Sequence, residues 1–220
     1  MGAKTAILAF AERDRDPREV LLPGPHADID TARALAEEFF PGRVAEELGM
    51  WELGEAAYPP ADAVYAGRFA GFDVVCCRDL MDVAPDALED LVLRLAAGRR
   101  AYLHLMHSVS DALTFACWSE GRLVRRLSVA PDVGIVADDG ARFEFELPYW
   151  AGDHPVVVDD PSWFDDGDEV PAYPLPFHPL ELGEEALNHF FGFYLEGPIA
   201  PAAIDSMQVH LAGFTLARAT

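Results

Sequence analysis

Between Ala101 and Trp150, apolar runs of strand length alternate with short polar breaks, SVSD, SEG, APDVG and ADDG. No other feature constrains the fold as much, because runs of this length separated by turn residues form an antiparallel meander. The tightest break is Ser119-Glu120-Gly121-Arg122. With Glu120 and Gly121 as a two-residue loop, the glycine supplying positive φ, Trp118 is expected opposite Leu123, Ala116 opposite Arg125 and Thr114 opposite Leu127. Trp118, Leu123 and Leu127 would then share one half-buried face. The run through Tyr149 and Trp150 is read as the last meander strand.

The flanking sequence supplies further elements. Lys4–Phe10 reads as a buried strand, and Glu19–Leu22 as a short extended piece. Asp30 is placed to cap a helix ending near Phe40, with Ala32, Leu35, Ala36 and Phe39 on its apolar face. Val44–Leu48 fits strand or helix. Val64–Phe69 and Phe72–Cys77 form a hairpin around Ala70-Gly71. Pro85 opens a helix whose Leu88, Leu91, Val92 and Leu95 follow helical spacing up to Gly98. Residues 153–176 are rich in Asp and Pro and read as a long loop. A last helix is expected over Glu184–Tyr194, and a last strand over Gln208–Leu216. The expected fold is α+β: one domain over 1–220 with a central, mainly antiparallel sheet, its meander at 100–150, and about three helices packed on it.

Function classes narrow by exclusion. Sixteen Lys and Arg against 38 Asp and Glu give a net charge of −22. Nucleic acid is excluded as an expected ligand because its phosphates would be repelled, whereas a basic protein partner would be attracted. Lys4 is the only lysine, an unusual residue in a chain that otherwise uses arginine. No run approaches the ~20 apolar residues of a membrane span. The start MGAKTAILAF lacks a signal-peptide pattern, so a cytoplasmic location is expected. Cys76, Cys77 and Cys117 lie in apolar runs and are expected as unpaired thiols, one of the adjacent pair semi-exposed. Without a P-loop or a G-x-G-x-x-G after a strand, no nucleotide cofactor is indicated.

Several side-chain groups have chemical potential. His107, Ser108 and Asp111 offer the residue types of a nucleophilic triad, but neighbours along a strand point to opposite faces. His104 and His107 cannot share an ion for the same reason. His178, Glu181, Glu185 and His189 cluster late; Glu185 and His189, one helical turn apart, are the candidate metal pair, although no recognised ligand spacing is present. The acidic run Asp159, Asp160, Asp165, Asp166, Asp168 and Glu169 lacks the order of an EF-hand loop. The expected binding surface lies where the break after His107 meets the segment from Tyr149 to His178. It comprises His107, Ser108, Asp111, Tyr149, Trp150, Asp153, His154 and His178, with Trp163 and Tyr173 adding aromatic area.

The phrases MGAKTAIL, LHLMHSVSDALTFACWSEGRLVRRLS, FELPYWAGDHPV, PLPFHPLELGEEAL and FGFYLEG resemble a family of uncharacterised bacterial proteins, a domain of unknown function of about this length. The resemblance implies a single cytoplasmic domain found mainly in GC-rich bacteria and assigns no activity. From the residues alone, the expected function is that of a non-enzymatic binding or interaction protein; a sharper version, which the charge permits without requiring, is an inhibitor- or immunity-like role toward a basic partner. The alternative is a small hydrolase using His, Asp and Glu of the second half, with or without a metal.

Overall fold

Strand β1 (Lys4–Ala11) lies at the middle of the sheet, and every residue from Thr5 to Ala11 is buried. A strand buried along its whole length needs cover on both faces, and β1 has it. Ala6, Leu8 and Phe10 meet helices α2 (Ile29–Phe39) and α4 (Pro85–Ala96). Ile7, Ala9 and Ala11 face the core built on α6 (Pro179–Phe191). The computed structural model describes residues 2–83, 85–156, 173–197 and 200–218.

The remaining strands are β2 (Val44–Glu52), β3 (Ala63–Phe69), β4 (Phe72–Cys77), β5 (Arg100–His107), β6 (Ala112–Ser119), β7 (Arg122–Ala130), β8 (Gly134–Gly140) and β9 (His210–Leu216). All nine form one sheet in the order β2-β9-β3-β4-β1-β5-β6-β7-β8, with every pairing antiparallel. Three further helices are short: α1 (Pro17–Leu21), α3 (Leu53–Ala56) and α5 (Leu147–Ala151). The fold is α+β and dominated by strands, with six α-helices among the described residues, three of them longer than ten residues.

The β6–β7 turn forms as expected: Glu120 and Gly121 both take positive φ, 54° and 70°, the geometry of the tight hairpin turn that follows strand twist. Trp118 does pair with Leu123. Beyond it the expected register is off by one, because β7 carries an extra residue, Val124. Cys117 therefore pairs with Arg125, Ala116 with Arg126, Phe115 with Leu127 and Thr114 with Ser128. A one-residue slip exchanges the faces, so Leu127 joins the α6-side core while Trp118 and Leu123 stay on the α4 side. The slip also turns Arg125 fully inward.

Other expectations are corrected by local chemistry. Asp28, not Asp30, caps α2, accepting from Thr31 N–H at 3.0 Å. The expected extended piece Glu19–Leu22 is mostly helix α1, opened by Asp16 as cap and Pro17 as first residue. The segment 44–48 is strand β2, on the sheet edge. The last meander strand is absent: Glu144–Glu146 makes a 3₁₀ turn and Tyr149 and Trp150 lie on α5. Pro148 suits a helix start, Glu146 holds the turn by accepting from Phe143 N–H at 2.8 Å, and Gly152 at φ 85° ends it. Helix α6 starts five residues earlier than expected, because Pro179 follows His178 and the His178 ring accepts from Leu180 N–H at 3.3 Å. It stops at Gly192, leaving Tyr194 outside it.

Candidate functional site

The N-terminal half of α6 presents Glu181, Glu184 and Glu185 along one side, as residues three and four apart must. Opposite them stand Tyr149 from α5, His154 just after it, and the chain leaving α6 at Tyr194, Glu196 and Gly197. Together with Ala3, His178 and Leu180 these residues line a cleft of about 520 Å³. Among the described residues, no lysine or arginine lines it.

Aromatic stacking fixes the walls. The His154 ring lies on Tyr149, centroids 4.0 Å apart and planes 12° from parallel, and Tyr149 packs edge-on against the buried Phe177. Tyr173 stacks with His178 at 5.8 Å. The Tyr194 hydroxyl donates to Glu185 at 3.2 Å. His178 Nε2 stands 3.8 Å from Asp111 Oδ2, joining the β5–β6 turn to the rim of the cleft.

Burial and mutual repulsion govern the charges. Burial raises the Glu184 carboxyl above its ordinary value; N–H groups of Leu195 and Glu196 oppose this, and the charges of Glu196 and Glu185 add to it. One Glu184 oxygen accepts from Leu195 N–H at 2.8 Å, while the other is buried with no hydrogen-bond partner among the described residues. Burial raises the Tyr149 phenol, and the negative charges of Glu185 and Glu181 raise it further. Burial likewise raises Tyr194, with Glu185 adding to it. A cation in the cleft would relieve each of these effects.

The expected surface is therefore divided. Tyr149, His154 and His178 line the cleft and Asp111 reaches its rim. His107 does not belong to this group. It pairs with Lys4 across β1 and β5 and meets the Tyr58 ring on the α4 side of the sheet, whereas Ala3, the residue just before β1, lines the cleft. Ser108 packs against Gly2 and donates its N–H to the Ala3 carbonyl at 3.2 Å. Asp153 is exposed. Trp150 packs against the α6-side core, with the Arg142 guanidinium 3.7 Å over its ring and Phe177 edge-on to it. Trp163 and the acidic run Asp159, Asp160, Asp165, Asp166, Asp168 and Glu169 lie outside the described residues.

The candidate metal pair separates. Glu185 faces the cleft with Tyr194, while His189 packs against Phe143 and Phe145 at 5.2 and 4.7 Å. Burial, followed by the charge of Arg18, holds His189 below its ordinary value. Among the described residues, no group of three or more His, Cys, Asp or Glu side chains is placed to hold an ion. No described helix is long and apolar enough to cross a membrane.

Sequence reasoning missed Glu184, Tyr194 and Glu196. The first was detectable: once α6 begins at Pro179, Glu181, Glu184 and Glu185 fall on one face. Tyr194 and Glu196 join through the reversal at Gly192, which periodicity does not report.

No curated protein and no solved structure matches the chain. A family model does match, over residues 5–214, and it takes in all of the sheet but Lys4, Thr215 and Leu216 and every residue named in the cleft except Ala3. The chain belongs to this family, described as a family of unknown function, DUF6928.

Proposed function

We propose that the protein acts by binding, and that its cleft receives an ammonium or guanidinium group presented by a basic protein partner. The observation that carries this reading is the lining: Glu181, Glu184, Glu185 and Glu196 with Tyr149 and Tyr194, and no lysine or arginine among the described residues. Carboxylates supply charge-assisted acceptors for N–H donors, and tyrosine rings attract a cation to their faces. A volume near 520 Å³ is in the range of sites that enclose a small group. The net charge of −22 accelerates encounter with a basic molecule. An inhibitor or immunity role fits the same chemistry, in which a lysine or arginine of the partner fills the cleft.

A second reading rests on Glu184, whose raised pKa and whose oxygen without a hydrogen-bond partner among the described residues suit a general acid in a small hydrolase. Titration calorimetry with arginine methyl ester and a short oligolysine peptide tests the first reading. Binding should weaken as salt is raised and fall about tenfold or more in E181Q/E185Q, with an unchanged thermal midpoint. If neither cation binds at millimolar concentration, or the double variant binds like the parent, the cation reading fails.

A further inference from the structure

Three basic side chains converge on one aromatic ring at the opposite side of the sheet from the cleft. The Lys4 ammonium lies 5.7 Å from the centre of the Tyr58 ring, the Arg78 guanidinium carbon 5.2 Å and the His107 ring 5.9 Å. Lys4 and His107 are direct cross-strand partners on β1 and β5. Arg78 enters from the 3₁₀ turn Arg78–Met81 that follows β4. Lys4, Tyr58 and His107 are half-buried and Arg78 is exposed.

Among the described residues, seven of the sixteen Lys and Arg side chains reach a carboxylate within 4 Å. Among the described residues, neither Lys4 nor Arg78 forms an ion pair with a carboxylate within 4 Å; Asp79, beside Arg78, is directed to Arg43 at 3.8 Å. The ring of Tyr58 offers both cations a favourable face without cancelling their charge. Holding like charges together costs energy, and an anion between them recovers it.

We propose that Lys4, Arg78 and His107 around Tyr58 form a binding site for a phosphate group, free or as a small monoester. Lysine is a compact charged donor and arginine a planar fork of donors, a complementary pair for a tetrahedral oxyanion. The histidine adds an N–H, and a further charge when protonated. The solitary lysine of the chain thus has a function its arginines do not duplicate. The overall charge of −22 disfavours a long polyanion and restricts the ligand to a small one. The His107 environment fits: burial first, then the charges of Lys4 and Arg78, hold its imidazole below its ordinary value. Around that ring stand Lys4 from β1, Arg78 and Tyr58, and within its own turn the Ser110 hydroxyl at 3.4 Å.

The test is an NMR titration of the His107 ring, its resonance assigned by loss in H107Q, with inorganic phosphate added to the full chain. Phosphate should raise the His107 midpoint by about half a unit or more, as a bound anion offsets the two cations. Sodium chloride at the same ionic strength should not. Glucose 6-phosphate in place of inorganic phosphate separates the sources: a tighter response to the ester assigns the site to monoesters, a response to inorganic phosphate alone to the free ion. K4Q/R78Q should weaken phosphate about tenfold or more with an unchanged thermal midpoint, and E181Q/E185Q should leave the response intact. A His107 midpoint that ignores phosphate, or moves equally with chloride, overturns the proposal. So does a folded K4Q/R78Q protein that retains the response. The wild-type comparison of phosphate with chloride decides the matter even if that variant does not fold.

Discussion

The guanidinium of Arg125 and the carboxylate of Glu146 are paired with neither side chain reaching solvent: Nη2 donates to Oε2 at 2.6 Å and Nε to Oε1 at 2.9 Å. Asp138 accepts from Nη1, also at 2.6 Å. Burial opposes the Arg125 charge, but Glu146 and Asp138 outweigh it and hold the group above its ordinary value. Desolvating two ions is costly, so the pair need not stabilise the fold relative to an apolar pair; breaking it, however, strands a buried charge. Arg125→Met should lose about 3–5 kcal/mol in urea unfolding, and adding Glu146→Leu should recover much of that. A single variant within 1 kcal/mol of the parent would show that Glu146 finds other partners. Because Glu146 also accepts from Phe143 N–H, the pair anchors the turn from which α5 sets Tyr149 against the cleft.

Gly140 pairs with Arg125 at the end of β8 and takes φ 83°. A Cβ there would collide with the Val124 carbonyl, on the residue that the bulge adds to β7. Positive φ and steric exclusion coincide, so Gly140→Ala should cost more than the ~1 kcal/mol of an unfavourable backbone alone. Its thermal midpoint should fall by several degrees, whereas Ala at Gly98, where a Cβ meets nothing within 4 Å, carries only the backbone penalty. Equal midpoints for the two variants would mean that the β7–β8 pairing shifts to accommodate the methyl group.

His104 is fully buried between Thr5 and the Gly183 carbonyl. The carbonyl can only accept, so Nε2 carries the proton and Nδ1 accepts from the Thr5 hydroxyl at 2.7 Å. Burial holds the imidazole down to about 4, against an ordinary 6.5. Between those values the unfolded chain binds a proton that the folded chain refuses, so stability falls as pH drops through this window and is complete above about 6.5. Between pH 7 and 4.5 this one group should remove roughly 2 kcal/mol. Comparing urea midpoints of the parent and His104→Gln across that range checks it. An identical pH slope in both would refute the assignment.

All three cysteines are unpaired and buried, so the expectation that one of the adjacent pair would be semi-exposed is corrected. Cys76 faces the α6-side core and Cys77 the α4 side, as alternation on β4 requires. Burial raises the Cys76 thiol far above its ordinary value, Cys77 to about 12 and Cys117 to about 11. The reactive thiolate is therefore scarce. Native protein should react with a disulfide reagent only at the rate of its opening, and denatured, unreduced protein should yield three thiols. Rapid labelling of even one thiol in the native state would contradict the burial.

What could be read from the chain depended on the range of the signal. The β3–β4 hairpin, the apolar faces of α2 and α4 and the turn at Glu120-Gly121 are written in neighbouring residues, and each formed. Two failures in the meander have one origin. The bulge at Val124 is tied to Gly140 on the next strand, and the helical turn at Glu144–Ala151 is held by Arg125 on an earlier one. Neither cause lies within a window that local periodicity samples. The site followed the same rule. His178, Glu181 and Glu185 were visible as a late cluster, and His154 as a loop candidate. That His107 faces away required knowing its partner, Lys4, and the parity of β1.

The sheet order also sets a timetable for synthesis. Edge strand β2 has only β9 as a neighbour, yet β2 ends at Glu52 and β9 begins at His210. At ~5–20 residues per second on the ribosome, β2 waits on the order of ten to thirty seconds for its partner. Throughout that interval it displays Leu48, Met50 and Trp51 on an unpaired edge, and these remain partly exposed even after docking. Glu46, Glu47 and Glu52 interrupt the strand with repelling charge that discourages two nascent chains from pairing there. The acidity of this strand thus protects the unfinished protein, before there is a completed sheet to stabilise.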